Sequence, residues 1–486
     1  MVLVVLIVIL LFLVLLIGNK NFTAIGDMSF RQKIPSRFVL IASVWGCCFS
    51  FIIIPWQIPD EYTHLQMIGS EILNDSIAEL LMNDMPLDQG RIMFNNDEKI
   101  NMELLKEALI KRPQYSVKQC LPKGISVKCI KHLPATVGIL FGIILRLPTY
   151  WTLQIGELFS LFFYILICNK ALSLTPIKKE VFELVMLLPM SIQQAASISY
   201  DAVLLPICFF LIAYILHLKY EESKIIDLKI VLIIIALLLC IAIIKLPYIL
   251  LGGMVFLLPL ERIQLKLGKQ VVFVMKANKR KHCIIFGICA LGALLTTSVL
   301  ADNEHMRILM ASISHWQRTV YLIKSTLETF GEHLIVSLIG NFGWLDTPLP
   351  LGYVFILASI IITFAFTKVQ EDGDTVKLDI WSKLILSLIT GGLIYLVTLS
   401  MVRHTVTIIL YGSESVDVWI NYDEALYQIP YIGGLQGRYY IPLLVPFFLT
   451  LPSLFEISKR KYNKLVIWIE CAYILCTSYY ILIRYW

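Results

Sequence analysis

Apolar residues form long runs along the whole chain, and short polar segments separate one run from the next. Residues 1–17, 230–244 and 283–300 contain no charged side chain. The runs lack the alternation of apolar and polar positions that is typical of a strand in an outer-membrane barrel. Inside a bilayer, backbone polar groups must be hydrogen-bonded within the chain, so apolar runs of this length favour helices. The pattern therefore predicts an all-α polytopic membrane protein.

Composition and charge agree with this prediction. Of the 486 residues, 58% are hydrophobic and only 16% are charged, and the mean hydropathy is +0.77. In a soluble globular chain, about a quarter of the residues are charged. The formal net charge of +6 comes from short basic clusters between apolar runs. Such clusters are typical of cytoplasmic loops and argue against a nucleic-acid partner.

The basic clusters also predict a topology, because short loops rich in Lys and Arg face the cytoplasm. Residues 18–37 form such a cluster, so the next run, 38–55, should carry the chain outward into a polar loop over residues 56–132. The run 133–147 has only 15 residues, fewer than the ~20 that a full span needs. We expect it to be a partial or re-entrant element, which leaves about twelve full spans.

Three regions follow from this topology. They are an additional transmembrane helix with a basic cytoplasmic loop (1–37), the main membrane domain (38–455), and a basic cytoplasmic loop with the final helix (456–486). The outer loop 56–132 is long enough to be functional, and we expect it to contain amphipathic helices that lie on the outer face. Within this loop, Cys120 and Cys129 either form a disulfide or remain free thiols.

Two acids and a histidine follow the first predicted outward helix. Asp60 and Glu61 come directly after Pro59, and His64 lies four residues beyond Asp60. If Pro59 begins a helix, Asp60 and His64 share one face of it. The helix dipole alone stabilises an acid at a helix start, but it does not account for all three residues. Ionisable groups at membrane depth are costly and usually functional. Either Asp60 or Glu61 is therefore a candidate catalytic carboxylate, with His64 in support.

Cations and aromatic residues mark two further outer positions. Lys245 ends one apolar run, and Tyr248 lies at the start of the next. The lysine either snorkels to the interface or holds a lipid-linked phosphate. Gln436, Arg438 and Tyr439 precede a late span, where the arginine could clamp a phosphate. Arginine on the outer side runs against the usual charge bias, which favours a functional interpretation.

The remaining candidates lie at the starts of two other spans. Trp344 and Asp346 belong to the turn-rich segment 343–350, although an interfacial anchor also accounts for a tryptophan there. Tyr200 and Asp201 begin another apolar run. No CxxC, HExxH or other paired metal-ligand spacing occurs, so no metal site is predicted.

Five of these segments, in this order, resemble a family of polytopic bacterial membrane proteins. That family is catalogued mainly as a domain of unknown function (DUF2142-like) and is grouped with the GT-C membrane glycosyltransferases. The matching stretches are 59–61 with His64, 188–201, Lys245 with Tyr248, 343–350 and 436–439. Together they cover residues 38–455. Family members often have an arginine near Gly156, where this chain has Glu157, so the chain departs from the family at that position.

The resemblance implies a GT-C-like bundle of about twelve transmembrane helices with a long helical first outer loop. It also implies a polyprenyl-phosphate-linked sugar donor, a glycan or lipid-linked acceptor, and an active side that faces outward from the bacterial plasma membrane. In that fold an acid of the first outer loop acts as general base or orients the acceptor, a place that Asp60 and Glu61 occupy here. Lys245 and Arg438 would stabilise the departing phosphate. Some enzymes of this fold use a divalent cation such as Mg²⁺ or Mn²⁺, and others do not.

Other functions also fit the sequence. A carrier or flippase of lipid-linked saccharides should show charged or broken helices at mid-membrane and inverted repeats, and the chain has no clear internal repeat. A polysaccharide polymerase would share the lipid-linked donor and the large outer loop. A structural scaffold would leave Asp60, Glu61 and His64 unexplained.

Overall fold

The computed structural model describes residues 37–71, 79, 81, 99–112, 127–221, 225–262, 264–267, 270–274, 310–370, 378–411 and 426–486. Most of these residues are helical, as the apolar runs predict. The predicted helix 1–17, most of the basic loop after it, and Cys120 lie outside the described residues. Cys129 is a buried free thiol.

The described α-helices are α1 (Arg37–Ile52), α2 (Glu61–Glu71), α3 (Met102–Ile110), α4 (Leu133–Ile144), α5 (Thr149–Leu174), α6 (Lys179–Met186), α7 (Pro189–Ala195), α8 (Asp201–Tyr220), α9 (Leu228–Ile244), α10 (Trp316–Ile339), α11 (Leu351–Ala365), α12 (Ile380–Tyr411), α13 (Ile441–Thr450) and α14 (Lys459–Tyr485). Short 3₁₀ helices cover Val127–His132, Leu246–Leu257, Leu260–Arg262 and Gly437–Tyr440.

Five helical runs among the described residues are long and apolar enough to cross a membrane. They are Val127–Ile144, Thr149–Leu174, Asp201–Tyr220, Ile380–Val406 and Lys459–Tyr485. Four shorter apolar helices are Arg37–Ile52, Leu228–Ile244, Leu246–Leu257 and Leu351–Ala365. A mostly helical chain with several helices long enough to span a membrane is therefore confirmed, whereas the number of about twelve spans and the GT-C-like bundle stay predictions.

The chain divides into two compact units. The first comprises Met1–Phe210, Ile339–Thr375 and Leu451–Trp486, and the second comprises Leu211–Leu338 and Val376–Thr450. Each unit is described by itself below.

In the first unit, α5 runs antiparallel to α1. Ser50, near the end of α1, donates a hydrogen bond to Glu157 on α5. One turn earlier on α1, Gly46 lies against the side chain of Leu161, one turn later on α5. At the other end of α1, Arg37 forms an ion pair with Glu183 on α6. This end, which belongs to the predicted cytoplasmic cluster 18–37, therefore lies beside α6.

Helix α4 packs tightly on the first two turns of α5 through glycine. A Cβ atom added to Gly138 would lie 2.6 Å from the carbonyl oxygen of Ile155, and one added to Gly142 would lie 2.8 Å from the Cα atom of Thr152. Glu157 contacts Ser50 near the end of α1, and these early turns of α5 come before Glu157. The α4–α5 hairpin therefore extends past the Ile52 end of α1. With its preceding 3₁₀ helix the run Val127–Ile144 is 18 residues long and apolar enough to cross a membrane, so the partial or re-entrant element stays a prediction.

Three pairs of short strands accompany the helices, and the apolar pattern predicts none of them. Strands β1 (Gln264–Leu267) and β2 (Gln270–Val274) pair antiparallel, as do β3 (Asn341–Phe342) and β4 (Thr347–Pro348). Strands β5 (Thr367–Gln370) and β6 (Phe455–Ser458) pair in parallel. The β3–β4 pair matters for the site, because it closes the turn that contains Trp344 and Asp346.

The second unit has an apolar core of its own. Its buried members come from α10, α12 and the segment before the 3₁₀ helix Gly437–Tyr440: Leu322, Leu399, Val402, Val406, Leu426, Ile429, Ile432 and Leu435. Tyr439 and Tyr440 pack against this core, so two residues next to Arg438 are anchored on it.

Candidate functional site

Two buried carboxyl groups face each other where α1 ends and α2 begins. Glu61, the first residue of α2, is 0% exposed, and its Oε2 accepts the backbone N–H of Trp56 at 2.7 Å. Glu157 is also 0% exposed and lies within hydrogen-bonding contact of Glu61. Its Oε2 accepts hydrogen bonds from Ser50 Oγ at 3.1 Å and from Gln154 Nε2 at 3.0 Å.

Burial disfavours the charged form of Glu61 and raises the pKa of this carboxyl to about 7, although the backbone N–H groups of Trp56 and Ile58 oppose the shift. Near neutral pH, Glu61 is therefore protonated in a substantial fraction of molecules. A buried carboxyl that holds its proton is a poor base towards a substrate in water.

Asp60 differs from its neighbour Glu61 in exposure and in backbone conformation. Its side chain is exposed, whereas that of Glu61 is buried. Its backbone has φ +66°, in the left-handed region, and Trp56 in the same turn has φ +76°. Non-glycine residues in this region are strained, and such strain is concentrated at functional sites. The turn between α1 and α2 thus directs one acid outward and the other inward.

Two histidines and a tyrosine form a second polar group near this turn. Nδ1 of His64 on α2 and Nε2 of His132 lie 3.0 Å apart. The ring of Tyr200 packs edge-on against His64, with 4.9 Å between the ring centroids. Asp201, the next residue, is buried, and its backbone N–H bonds to Ser199 Oγ at 3.2 Å. The structure thus brings together the candidate residues His64 and Tyr200, and His132 joins them.

The turn between β3 and β4 contacts the same region. Trp344 Nε1 donates a hydrogen bond to the carbonyl oxygen of Trp56 at 2.8 Å. A Cβ atom on Gly343, which has φ +59°, would lie 1.7 Å from the Tyr485 hydroxyl, so only glycine fits there. Asp346 forms an ion pair with Arg484, with Oδ2 2.7 Å from Nη2 and 2.9 Å from Nε.

Cations and aromatic rings meet in the second unit. Lys245 Nζ lies 3.7 Å from the ring centroid of Tyr439, and the Arg438 guanidinium lies 5.6 Å from the same centroid. Tyr248 donates its hydroxyl to the carbonyl oxygen of Tyr439. Two candidate phosphate-binding residues, Lys245 and Arg438, are separated by almost 200 positions in sequence and lie beside one ring. The Arg438 side chain is 6% exposed.

Gly437 packs so closely on α10 that only glycine fits there. A Cβ atom there would lie 1.9 Å from the carbonyl oxygen of Leu334 on α10. Its N–H also bonds to Ser337 Oγ at 2.8 Å. The glycine thus lets the 3₁₀ helix Gly437–Tyr440 rest directly on the α10 backbone. Gln436 lies just before this helix, with its Oε1 buried and without a partner among the described residues.

The candidate residues fall into two groups. Asp60, Glu61, His64, Tyr200, Asp201, Trp344 and Asp346 belong to the first unit, and Lys245, Tyr248, Gln436, Arg438 and Tyr439 belong to the second. Glu157 was noted only as a departure from a family pattern, and His132 only as the end of a loop. An acid inside the apolar run of α5 was the signal that could have identified Glu157.

No group of three or more His, Cys, Asp or Glu side chains that could hold a metal ion occurs within the described ranges. The use of Mg²⁺ or Mn²⁺ therefore has no support from the clusters described above.

A comparison with family models gives a match to the family described as "Predicted membrane protein (DUF2142)" over residues 43–447. No curated protein matches the chain, and no solved structure matches it. The matched stretch covers most of the 486 residues and includes every candidate residue that the sequence predicted. The chain therefore belongs to the DUF2142 family of membrane proteins.

Proposed function

We propose that the protein is a GT-C-like membrane glycosyltransferase that transfers a sugar from a polyprenyl-phosphate-linked donor. The acceptor would be a cell-surface glycan or a lipid-linked saccharide on the outer side of the bacterial plasma membrane. The observation that carries this proposal is the exposed carboxylate of Asp60, presented by a strained turn directly after a membrane helix. A glycosyl transfer needs such a base to take the acceptor proton.

In this reaction Asp60 removes the proton from an acceptor hydroxyl as that oxygen attacks the anomeric carbon of the donor. The bond between this carbon and the phosphate oxygen breaks, and polyprenyl phosphate leaves with the negative charge. Lys245 and Arg438, which surround the Tyr439 ring, are the cations that would stabilise the charge on the phosphate.

The proposed outward orientation of the Asp60 turn rests on the position of basic residues along the chain. Arg37 marks the end of α1 predicted to be cytoplasmic, and the Asp60 turn follows the opposite end of the same helix. Basic residues near the ends of membrane helices favour the cytoplasmic side. Asp60 would therefore meet an acceptor in the outer aqueous space, while a lipid-linked donor keeps its phosphate at headgroup level.

The test is sugar transfer from a radiolabelled pool of lipid-linked donors in membranes that contain the protein. We expect Asp60→Asn to lower the rate by about 10²- to 10⁴-fold, the usual cost of losing a general base. Arg438→Ala should lower it by a comparable factor through poorer use of the donor. Glu103→Gln, which changes an exposed acid on α3 of the same outer loop, should remain active.

Full activity in Asp60→Asn would contradict the proposed role of this turn. If transfer is undetectable with the intact protein but labelled lipid-linked saccharide changes leaflet in its presence, the carrier or flippase would replace the transferase. Chain elongation of a polysaccharide from the same donor would instead identify a polymerase.

A further inference from the structure

Glu157 is a buried acid to which neither the sequence nor the proposed reaction gives a role. It lies on α5, two turns after the start of the helix, and it faces Glu61 on α2. One oxygen of each carboxyl is bonded as described above. The Oε1 atom of each receives no hydrogen bond from a protein donor among the described residues. Polar atoms buried in this way rarely lack a partner without a reason.

Two ionised carboxylates would repel each other strongly at this position. Both side chains are 0% exposed, and none of the ion pairs formed by the described residues involves either acid. Like charges in a shared buried site cannot both ionise near neutral pH, so one carboxyl keeps a proton. That proton also supplies the donor that the two Oε1 atoms lack.

We propose that Glu157 is a positioning residue that shares one proton with Glu61, and that this protonated pair holds the turn presenting Asp60. The pair ties three elements together: Ser50 of α1 and Gln154 of α5 bond to Glu157, and the backbone N–H of Trp56 bonds to Glu61. Trp56 and Asp60 are the two left-handed residues of the turn, so their strained geometry depends on this anchor. The assignment of a catalytic role to Asp60 rests on the proposed function, whereas the shared proton does not.

Burial of the carboxyl pair makes the turn sensitive to pH. The pKa of Glu61 is raised by burial to about 7 from an ordinary value of 4.5. Its contribution to stability is therefore complete below about pH 4.5 and is lost as the pH rises through about 7. Other titratable groups near the pair are Asp60 in the turn, His64 on α2, His132 before α4, Tyr150 on α5, Tyr200 and Asp201.

The first measurement is thermal unfolding of the detergent-solubilised full chain between pH 5 and 8. The melting temperature of the natural protein should fall as the pH rises through about 7. Glu157→Gln should lose part of this fall, because an amide can accept from Ser50 and donate to the Glu61 carboxylate without a shared proton, whereas Glu61 stays buried. Glu71→Gln, which changes a partly exposed acid on the same helix α2, should keep the fall.

The second measurement is the pH dependence of sugar transfer. Glu157→Ala should lose transfer, and Glu157→Gln should restore it and extend activity to higher pH than in the natural protein. A residue that only fills space would not show both rescue of transfer by glutamine and a changed transfer rate at alkaline pH. If Glu157→Gln keeps the full pH dependence of unfolding, or if it unfolds as Glu157→Ala does, the shared proton is disproved.

The two ideas fail separately. Suppose that neither the natural protein nor any variant transfers sugar, but Glu157→Gln weakens the pH dependence of the melting temperature as expected. The shared proton is then supported and the glycosyltransferase function is contradicted. Suppose instead that transfer occurs and depends on Asp60, but neither Glu157 variant changes the pH dependence of the melting temperature or of the transfer rate. The shared proton is then contradicted and the glycosyltransferase function is supported.

Discussion

At the scale of single residues, the carboxylate of Asp346 is occupied by its own chain. It pairs with Arg484, and the two side chains are 10% and 7% exposed. Removing one partner of a buried ion pair leaves an uncompensated charge and costs about 3–5 kcal/mol. We expect Asp346→Asn to destabilise the protein by about this amount in thermal or denaturant unfolding. The transfer activity of this variant per folded molecule should stay near normal, because the role of Asp346 is to stabilise the fold.

The matched control is the double variant Asp346→Asn with Arg484→Met, which removes both charges. Replacing both partners of a buried pair by uncharged groups is often close to neutral, so this variant should recover much of the lost stability. A single variant that unfolds normally but has no activity would instead give Asp346 a direct role at the site.

The sequence predicted some site residues and missed others for a physical reason. Asp60 and Glu61 were recognised because adjacent acids after an apolar run are costly, but their opposite exposures depend on the left-handed backbone at Trp56 and Asp60. No local pattern specifies that conformation for non-glycine residues. Glu157 was missed as a site residue because its role comes only from facing Glu61 across a distance of almost 100 positions.

At the scale of elements, glycine sets how closely α4 can approach α5. A Cβ atom on Gly138 would lie 2.6 Å from a carbonyl oxygen and 2.8 Å from the Cα atom of Gly156, both backbone atoms. Backbone cannot rotate away as a side chain does, so Gly138→Ala must separate the helices. We expect a loss of about 1–3 kcal/mol in stability, as for other overpacked sites, measured by thermal unfolding.

Gly331 on α10 is the control, since an added Cβ atom would meet nothing within 4 Å. Gly331→Ala should stabilise the protein by about 0.4–1 kcal/mol, because alanine restricts the unfolded chain more than glycine does. Equal effects of the two substitutions would contradict the close packing of α4 on α5.

The 3₁₀ helix Gly437–Tyr440 offers a second test at this scale. Gly437→Ala places a methyl group against the backbone of α10 and should displace Arg438 and Tyr439. The expected result is weaker use of the lipid-linked donor, seen as a higher KM. Gly433→Ala lies in the same segment, but its nearest atom is 3.5 Å away, so it should change KM little. A raised KM in both variants would point to general loosening of this segment.

Apolar periodicity predicted the helices well and the short strands not at all. Runs such as α9 and α12 are apolar over whole turns, which is a strong signal for a membrane helix. Strands β5 and β6 have only four residues each and pair across more than 80 positions. Pairing of that kind depends on tertiary contacts rather than on local pattern.

At the scale of the whole molecule, the predicted topology can be tested by labelling exposed lysine positions replaced with cysteine. Lys106 on α3 lies in the predicted outer loop, and Lys461 lies in the predicted inner cluster at the start of α14. In intact cells, a membrane-impermeant maleimide should modify Lys106→Cys, and it should modify Lys461→Cys only after permeabilisation. The reverse labelling would invert the chain and move the Asp60 turn to the cytoplasm.

The packing of α1 against α14 has a consequence for biogenesis. Trp45 donates its indole N–H to Thr477 Oγ1 at 3.3 Å, and the indole of Trp486 donates to the carbonyl oxygen of Ile52 at 3.0 Å. During synthesis, α1 leaves the ribosome more than 400 residues before its partner. Until α14 has been synthesised, the Trp45 indole and the Ile52 carbonyl oxygen can contact only lipid, a chaperone or another part of the nascent chain. Premature termination upstream of α14 would thus leave the indole of Trp45 and the carbonyl oxygen of Ile52 without these partners at the opposite end of the polypeptide.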